Sequence, residues 1–456
     1  MSSIDPILKR PSRIAVIGAG VAGLGAAWAL RGLHQVVLYE KENRLGGHAN
    51  TAHVEHAGKE TAVDTGFIVF NRLNYPNLTA LFGHLGIETH RTDMSFGFSL
   101  DGTCEWSSNG LGGLFAQPSN LLKPAFIRML RDVLRFNAQA VDDLEGGVLT
   151  GLSLGQYLDL YEFSPGFREQ YLLPMGAAIW SASESDMAAY PAEAFVRFFK
   201  NHRLVNAKRP KWETVVGGSQ TYVSALWRDM EASGVERRSG AVSVTRLRNG
   251  GVRIVDAGGH AERFDEVILA CHSNEALHLL SDADADEHEM LGAIPYSSNT
   301  AVLHRDESFL PRRKGARAAW CYMRDLETGD AAVTYDMNRL QHINPAQPLL
   351  VTLNPAREPD PSRVLGRYSY DHPQFTPAGL AAQRIFNRIQ GVRNTWFAGA
   401  WLGYGFHEDG LRSGLRVALR LGGAIPWAFA DGDVNGGEWG ERPGISLPDV
   451  HALPAE

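Results

Sequence analysis

The sequence predicts an α/β fold in which a central parallel sheet is built from separated stretches of the chain. The first fifty residues follow the order strand, glycine turn, helix, strand and acidic residue. This order and its spacing are those of a dinucleotide-binding βαβ unit. A second strand that runs into glycines and a helix lies near residue 400. With 456 residues, the chain is long enough for two or three domain-sized units.

The first glycine turn, residues 18–23, follows a short apolar strand. Gly18 allows a tight turn, Gly20 lets the backbone approach a pyrophosphate, and Gly23 lets the helix pack closely on the strand. Ala22 lies in the first turn of that helix, whose free N–H groups and partial positive charge suit phosphates. The turn therefore predicts a bound dinucleotide.

The residues after the second strand indicate which dinucleotide is bound. Glu40 ends that strand, where an acid suits a ribose hydroxyl pair and disfavours the 2′-phosphate of NADP. The stretch 40–47 (EKENRLGG) resembles a segment of the flavin-containing amine oxidase superfamily, which includes amine oxidases, protoporphyrinogen oxidase and phytoene-type desaturases. The resemblance implies FAD as the cofactor. It assigns the following residues of this stretch to FAD binding: Glu40, Lys41, Arg44, Gly46, Gly47 and His48.

The segment 394–414 resembles the C-terminal flavin segment of the same family, in which a buried strand leads through glycines into a helix. The N-terminus of that helix would face the flavin edge that gains negative charge on reduction. The resemblance places Val242 near the adenine. It assigns two further groups to the flavin, one beside the ring and one at the helix: Gly66, Phe67 and Ile68, and Gly399, Phe406, His407 and Glu408.

The resemblance implies a discontinuous Rossmann-like FAD-binding domain of the GR2 type with an inserted α+β substrate domain. We expect the boundaries of these units as follows. The FAD-binding domain comprises residues 12–75, 211–290 and 392–428, the substrate domain comprises 76–210 and 291–391, and a C-terminal tail covers 429–456.

The composition excludes several other classes of protein. The net charge of −7 does not indicate nucleic-acid binding. Cys104, Cys271 and Cys321 are scattered, so we expect neither a disulfide framework nor a metal site, which fits a reducing cytoplasm. No signal peptide is recognised, and no apolar run reaches the ~18 residues that span a bilayer. We therefore expect a cytoplasmic protein.

The candidate catalytic residues are His407, Tyr370 and Phe406. By the resemblance, Phe406 falls at one wall of the aromatic cage that amine oxidases form, and Tyr370 is the best candidate for the other. Many amine oxidases also carry a lysine near flavin N5, but the matching strand here, 295–304, contains none. His48 stands where an arginine is common in the family. These departures argue against amine oxidation.

Two readings stay open for the His407-Glu408-Asp409 segment. In the first, His407 lies near flavin O2, and one of the two carboxylates binds the ribityl chain or takes a proton. In the second, both carboxylates only cap the following helix. Tyr370 and His372 likewise either face the flavin or pack in the core.

Three motifs, 46–51, 370–373 and 405–410, resemble a bacterial subgroup of amine-oxidase-like proteins whose genes often lie beside cyclopropane-fatty-acid-synthase-type methyltransferases. The resemblance implies a dehydrogenase or desaturase that transfers hydride to flavin N5 from a lipid acyl chain, such as a methylated unsaturated acyl group of a phospholipid. The electron acceptor is not indicated. The alternatives are a flavin amine oxidase, a carotenoid- or isoprenoid-type desaturase, and a flavin-binding protein without turnover.

The stretch 123–136 alternates apolar and basic residues at helical spacing. Phe126, Ile127, Leu130, Val133 and Leu134 are predicted to form an apolar face, with arginines opposite. Such a helix either lies on the inner, anionic surface of a membrane or is an ordinary domain helix with a solvated face.

Overall fold

The structure is a computed structural model that describes residues 10–206 and 210–432. The strands of the described residues are, in chain order, β1 (Arg13–Ile17), β2 (Gln35–Glu40), β3 (Thr51–His56), β4 (Lys59–Asp64), β5 (Phe70–Asn71), β6 (Thr89–Arg91), β7 (Phe96–Leu100), β8 (Cys104–Ser107), β9 (Trp212–Val215), β10 (Glu236–Ser239), β11 (Ala241–Arg246), β12 (Val252–Asp256), β13 (Ala261–Phe264), β14 (Glu266–Leu269), β15 (Tyr296–His304), β16 (Trp320–Arg324), β17 (Ala331–Asp336), β18 (Leu350–Leu353), β19 (Val364–Pro373) and β20 (Thr395–Phe397).

The α-helices are, in chain order, α1 (Val21–Leu30), α2 (Pro76–Leu85), α3 (Gly110–Leu114), α4 (Pro124–Glu145), α5 (Leu154–Leu160), α6 (Pro165–Phe167), α7 (Leu173–Trp180), α8 (Glu184–Ala189), α9 (Ala192–Asn201), α10 (Gln220–Ala232), α11 (Ser273–Leu279), α12 (Ala285–Gly292), α13 (Met337–Leu340), α14 (Pro377–Ile385) and α15 (His407–Arg420).

A five-stranded parallel sheet has the order β10-β2-β1-β14-β20. Its central strands are apolar runs, as expected of strands that are covered on both faces. The strands come from three distant stretches of the chain, near residues 13–40, 236–269 and 395–397. The mixed α/β class that the sequence predicts is confirmed.

Helix α1 covers one face of this sheet and is itself covered by α15. All ten residues of α1 are buried, so its sequence is apolar on every side. The two helices approach closely because Gly414 faces α1: a Cβ at Gly414 would lie 2.0 Å from the carbonyl oxygen of Ala22. The small antiparallel sheet β11-β12-β13 contributes to the core on the opposite face. This packing fixes the N-termini of α1 and α15 relative to the strand ends.

A second, seven-stranded sheet has the order β19-β15-β18-β17-β16-β7-β8. Its neighbours are antiparallel except for β16 and β7. Helices α4 to α9 bury an aromatic core against it, which includes Phe98, Trp106 and Tyr322. Tyr404, next to the start of α15, belongs to the same core, so the two halves of the molecule meet at the N-terminus of α15.

Two stretches of the chain pack in a different half of the molecule from the one that the sequence predicts. Residues 76–91 were assigned to the substrate domain, but β6 pairs with β9 and α2 buries Leu78 and Phe82 in the core of the parallel-sheet region. Residues 386–391 differ similarly, because Phe386 and Ile389 pack beneath the parallel sheet. Both stretches are amphipathic connections whose apolar side chains pack into the nearest core. Their composition does not indicate which of the two cores that is.

The first residues of the predicted C-terminal tail are packed against the protein. Asp431 accepts a hydrogen bond from Nε of Arg416 at 2.6 Å, and the N–H of Ala430 donates to Asn77 at 3.1 Å. The remainder of that predicted tail, 433–456, lies outside the described residues. Within the described ranges, every helix is too short or too polar to cross a membrane.

Candidate functional site

A cavity of about 1010 Å³ lies where the two halves of the molecule meet. Its walls include the carboxyl ends of β1, β2 and β14 and residues of β15 to β19. Open α/β sheets bind ligands at the carboxyl ends of their strands. The volume is at the upper end of the ~300–1,000 Å³ of ordinary ligand pockets, so the cavity is the candidate site.

The first glycine turn forms one wall of this cavity. Gly18 has φ +102°, and a Cβ there would lie 2.6 Å from the carbonyl oxygen of Ala270. A Cβ at Gly23 would lie 1.8 Å from the carbonyl oxygen of Gly18, so this glycine brings the helix onto the strand. A Cβ at Gly20 would meet no atom within 4 Å. Because Gly20 lines the cavity, the space that its missing side chain leaves is open to a ligand.

The N-terminus of α1 points its backbone donors at this wall. The first hydrogen bond within the helix runs from the N–H of Leu24 to Gly20, so the preceding N–H groups have no partner within the helix. Val21 and Ala22 line the cavity, and the first turn contains no acidic residue. A helix N-terminus of this kind favours an anionic group such as a pyrophosphate.

Glu40 lies beside the turn at the end of β2. Its Oε2 accepts from the N–H of Ala19 at 2.7 Å, and its Oε1 accepts from the N–H of Glu42 at 2.9 Å. Each carboxylate oxygen keeps a further lone pair for a ribose hydroxyl. Lys41 also lines the cavity, but its Nζ donates to Oε1 of Glu275 at 2.6 Å, so its charge is already paired.

The pair Gly46-Gly47 packs against the glycine turn. The N–H of Gly46 donates to the carbonyl of Ala19 at 2.8 Å, and a Cβ at Gly47 would lie 3.0 Å from Cα of Gly20. Arg44 lines the cavity and donates to the carbonyl of Gly47 at 2.7 Å. The structure thus brings the two predicted cofactor motifs into direct contact.

The predicted flavin-side residues lie further along the same cavity, which Gly66, Phe67, Ile68 and Gly399 all line. His407, the first residue of α15, stacks on Phe67 with ring centroids 3.8 Å apart. Its Nε2 forms a 2.6 Å hydrogen bond with the Tyr222 hydroxyl. Burial lowers the pKa of His407 to about 3, so the imidazole is neutral. Only Nδ1 is left for a ligand.

The assignment of Glu408 to the cofactor needs correction. Its Oε1 accepts from the backbone N–H and the side-chain amide of Asn77, and its Oε2 accepts from the N–H of Leu78 at 2.9 Å. Glu408 therefore caps the N-terminus of α2 and is absent from the cavity wall. Successive helical residues point about 100° apart, so when His407 faces the cavity, Glu408 faces α2.

Asp409 caps the helix to which it belongs. Its Oδ2 accepts from the N–H groups of Tyr404 and Phe406, both at 3.0 Å, and Arg412 pairs with its Oδ1. Both carboxylates of the His407-Glu408-Asp409 segment therefore act as helix caps. Asp409 caps α15, whereas Glu408 caps α2.

Val242, assigned to the adenine by the resemblance, lies beside the cavity wall rather than in it, and that assignment stays a prediction. Its side chain is 54% exposed, and the neighbouring residues Gly240 and Ala241 line the cavity instead. The register of β11 against β12 shifts between Ala241 and Ser243. Because side chains alternate between the faces of a strand, a shift of one residue turns Val242 to solvent.

Tyr370 lies in a polar cluster that joins the two halves of the cavity. Its hydroxyl hydrogen-bonds Nδ2 of Asn50 at 2.9 Å and the Thr65 hydroxyl at 2.7 Å. The His48 ring lies 5.1 Å from Tyr370 and 5.3 Å from His372. Burial lowers the pKa of His372 to about 4 and that of His48 well below its usual value, so both imidazoles are neutral.

His272, which sequence reasoning missed, completes this cluster. Its ring lies 6.2 Å from that of His48, and it too lines the cavity. The available signal was its position two residues after Ala270 at the carboxyl end of β14, where ligand-binding residues collect. Within the described ranges, no group of three His, Cys, Asp or Glu side chains is arranged to hold a metal ion.

The opposite end of the cavity, here called the substrate end, is formed by residues of 94–96, 175–181, 198–204 and 320–353. None of its described lining residues is an Asp, Glu, Lys or Arg. Burial lowers the pKa of His202 to about 4, so this residue is neutral as well. Phe406 borders this end and stacks on Phe198 with centroids 5.1 Å apart. The apolar lining residues include Met94, Phe96, Met175, Ile179, Trp180, Phe198, Leu204, Trp320, Tyr335, Val351 and Leu353.

The residues of the opposite, dinucleotide end fit FAD. The open space at Gly20, the free N–H groups at the start of α1 and the carboxylate of Glu40 match a pyrophosphate and a ribose. The N-terminus of α15 lies further along the same cavity, where a flavin ring would gain negative charge.

Comparisons with known proteins agree with this arrangement. The sequence profile of the family described as "Flavin containing amine oxidoreductase" matches residues 21–421. An L-amino-acid oxidase of Pseudechis australis is 51% identical over 51 residues, which are 11% of this chain and 10% of that protein. The chain therefore aligns with about a tenth of the length of the curated relatives it matches.

Solved structures share the fold over most of the chain. A variant of putrescine oxidase has a TM-score of 0.65 at 16% identity, covering 90% of this chain and 99% of that one. A fatty acid isomerase from P. acnes, which produces CLA, has a TM-score of 0.62 at 16% identity, covering 90% and 98%. At this identity the likeness concerns the fold.

Proposed function

The chain belongs to the flavin-containing amine oxidoreductase family and is an FAD-dependent oxidoreductase, and we propose that it dehydrogenates or desaturates the acyl chain of a lipid. The single observation that carries the proposal is the uncharged lining of the substrate end. The residues proposed to hold FAD are those of the glycine turn, Glu40, Arg44, the pair Gly46-Gly47 and the start of α15.

The lining favours an uncharged substrate over an amine. An alkylamine is a cation at neutral pH and an amino acid carries two charges, and burying a charge without a partner is strongly unfavourable. The carboxylates that line the cavity lie outside the substrate end. They are Glu40, which accepts from the N–H of Ala19, Glu275, which pairs with Lys41, and Glu42 and Asp371.

An acyl chain suits the aromatic and aliphatic walls of the substrate end. Each buried methylene contributes ~0.8 kcal/mol, so several apolar contacts hold such a chain without any ion pair. The fold accommodates a substrate of this class elsewhere, since the similar protein from P. acnes is a fatty acid isomerase. The link to cyclopropane-fatty-acid-synthase-type genes stays a prediction.

When bound, FAD accepts a hydride. The chain supplies the N–H groups of α1 for the pyrophosphate and the N-terminus of α15 for the negative charge of the reduced ring. Formation of a carbon–carbon double bond also releases a proton from the neighbouring carbon. The imidazoles of His48 and His372 lie in the wall beside Tyr370, and because burial disfavours their protonated forms, either would pass this proton on rather than keep it. Turnover would also require an external electron acceptor, which the residues do not identify.

The runner-up function, amine oxidation, lacks support from the substrate end. β15 carries no lysine, and Phe406 stacks on Phe198 at the border of the substrate end. Tyr370 directs its hydroxyl to Asn50 and Thr65.

The test is anaerobic reduction of the purified holoenzyme. Phospholipids with unsaturated or methylated acyl chains, presented in detergent, are compared with putrescine, cyclohexylamine, L-amino acids and a carotenoid precursor. We expect the absorbance of oxidised flavin to fall with an acyl lipid alone, and mass spectrometry to find product two hydrogens lighter. Flavin reduction by an amine or the carotenoid precursor, without reduction by any lipid, would overturn the proposal.

A further inference from the structure

An apolar and basic surface lies on the outer side of α4 and of the 3-10 turn Pro118–Leu122 that precedes it. The exposed fractions of four apolar side chains there are unusually large: 53% for Leu121, 86% for Leu122, 37% for Ile127 and 71% for Leu134. Isolated exposed leucines are ordinary. Here four of them fall within the fourteen residues 121–134, which indicates an interaction surface.

The residues that form the exposed face of α4 differ from those that the sequence predicts. Phe126 points inward and is buried in the aromatic core, whereas Ile127 and Leu134 point outward. Arg131, also exposed, lies between them at helical spacing. The apolar and basic residues are therefore interleaved on one solvent-facing stripe rather than separated onto opposite faces.

The charges of this surface are unbalanced. The stretch 118–138 contains four basic residues and a single acid, Asp132, and the other acids of α4, which are Asp142, Asp143 and Glu145, follow at its C-terminal end. Asp132 is buried, accepts from the N–H of Ser164 and pairs with Arg135. Among the described residues, no carboxylate lies within 4.0 Å of the guanidinium groups of Arg128 or Arg131. Two cations are thus unpaired beside exposed leucines.

We propose that this surface docks the protein on an anionic lipid bilayer. Leucine side chains that reach into the headgroup region, together with arginines that pair with lipid phosphates, are the combination that interfacial helices use. A symmetric contact between two copies through the same face would place Arg128 and Arg131 of one copy against those of the other. Charge complementarity therefore favours a bilayer over a second copy.

The inference rests on the proposed function in one respect, because a phospholipid acyl chain resides in a membrane. The docking itself does not require turnover. Vesicle binding and flavin reduction by lipid in detergent are separate measurements, so failure of one is distinguishable from failure of the other.

The test is co-sedimentation of the full-length holoenzyme with vesicles. We expect binding to vesicles that contain phosphatidylglycerol, at least tenfold weaker binding to phosphatidylcholine alone, and weakening by added salt. The variants R128E/R131E and L122S/L134S are each expected to lose at least tenfold in binding while keeping their flavin content. Flavin reduction by detergent-dispersed lipid should be unchanged in both.

Matched controls are R248E and L326S, which alter an exposed arginine and a 51% exposed leucine elsewhere on the protein. Both should bind vesicles like the wild type. Equal binding by wild type and both double variants would overturn the proposal, as would absence of wild-type binding to anionic vesicles. A concentration-dependent dimer that R128E/R131E abolishes, without vesicle binding, would assign the surface to a second copy and also overturn it.

Discussion

The two ends of the cavity differ in the chemical groups that they present to a ligand. The dinucleotide end uses backbone N–H groups, glycines and the carboxylate of Glu40, all fixed by the close packing of α1 on the parallel sheet. The substrate end uses large aromatic and aliphatic side chains from α7, α9 and the seven-stranded sheet, and no charged group among its described lining residues. One end offers partners for a charged cofactor and the other offers none to a charged ligand, so we expect variants at the two ends to lose different properties.

The largest expected effect is at Gly20. A Cβ there meets no protein atom within 4 Å and occupies cavity space, so Gly20→Val should fold but lose FAD. We expect at least a hundredfold weaker FAD affinity, measured by flavin fluorescence titration, and no activity. Gly32→Val is the matched control, because a Cβ at Gly32 also meets nothing but lies on the exposed surface. Normal FAD affinity in Gly20→Val would remove the turn from the cofactor site.

The next effect is expected at the substrate end. Ile179→Glu places a carboxylate among apolar side chains, where an unpaired charge costs several kcal/mol. We expect the rate of flavin reduction by the lipid substrate to fall about a hundredfold, while FAD content and affinity stay normal. Ile385→Glu, at a 40% exposed position outside the cavity wall, should change neither. A variant that gains amine turnover without losing lipid turnover would break the proposed distinction between the two ends.

The dinucleotide end was predictable from the sequence because its motifs are local. Gly18, Gly20 and Glu40 lie within one βαβ unit, whose spacing determines their geometry. The directions of Glu408 and Val242 were not predictable, because each depends on the phase of a helix or on a one-residue shift in strand register. The substrate end depends on which side chains from distant strands meet, and no local pattern encodes that meeting.

The third expected effect concerns the titration of Glu408, which lies outside the cavity wall. Burial raises the pKa of Glu408 from 4.5 to about 7. The folded state therefore binds this proton more tightly than the unfolded state does, and the contribution of Glu408 to the free energy of unfolding falls as pH rises from about 4.5 to 7. Glu408→Gln should remove this fall, seen as a pH-dependent difference from the wild type of up to about 3 kcal/mol in urea unfolding.

The same variant distinguishes a helix cap from a cofactor ligand. Because Glu408 contacts α2 rather than the cavity, Glu408→Gln should leave FAD affinity within about twofold of the wild type. Glu60→Gln, at an exposed position, is the control and should change neither quantity. A large loss of FAD affinity with unchanged stability would restore the cofactor role that the structure removes.

The smallest expected effect is at Tyr370, where the two ends meet. Tyr370→Phe keeps the ring in the wall but removes the hydroxyl that bonds Asn50 and Thr65. Loss of these hydrogen bonds should lower the free energy of unfolding by about 1 kcal/mol and change the rate of flavin reduction less than threefold. If the rate instead falls more than tenfold with unchanged KM, the hydroxyl acts in the reaction. The His48–Tyr370 contact would then belong to the chemistry and not only to the packing that joins the two ends.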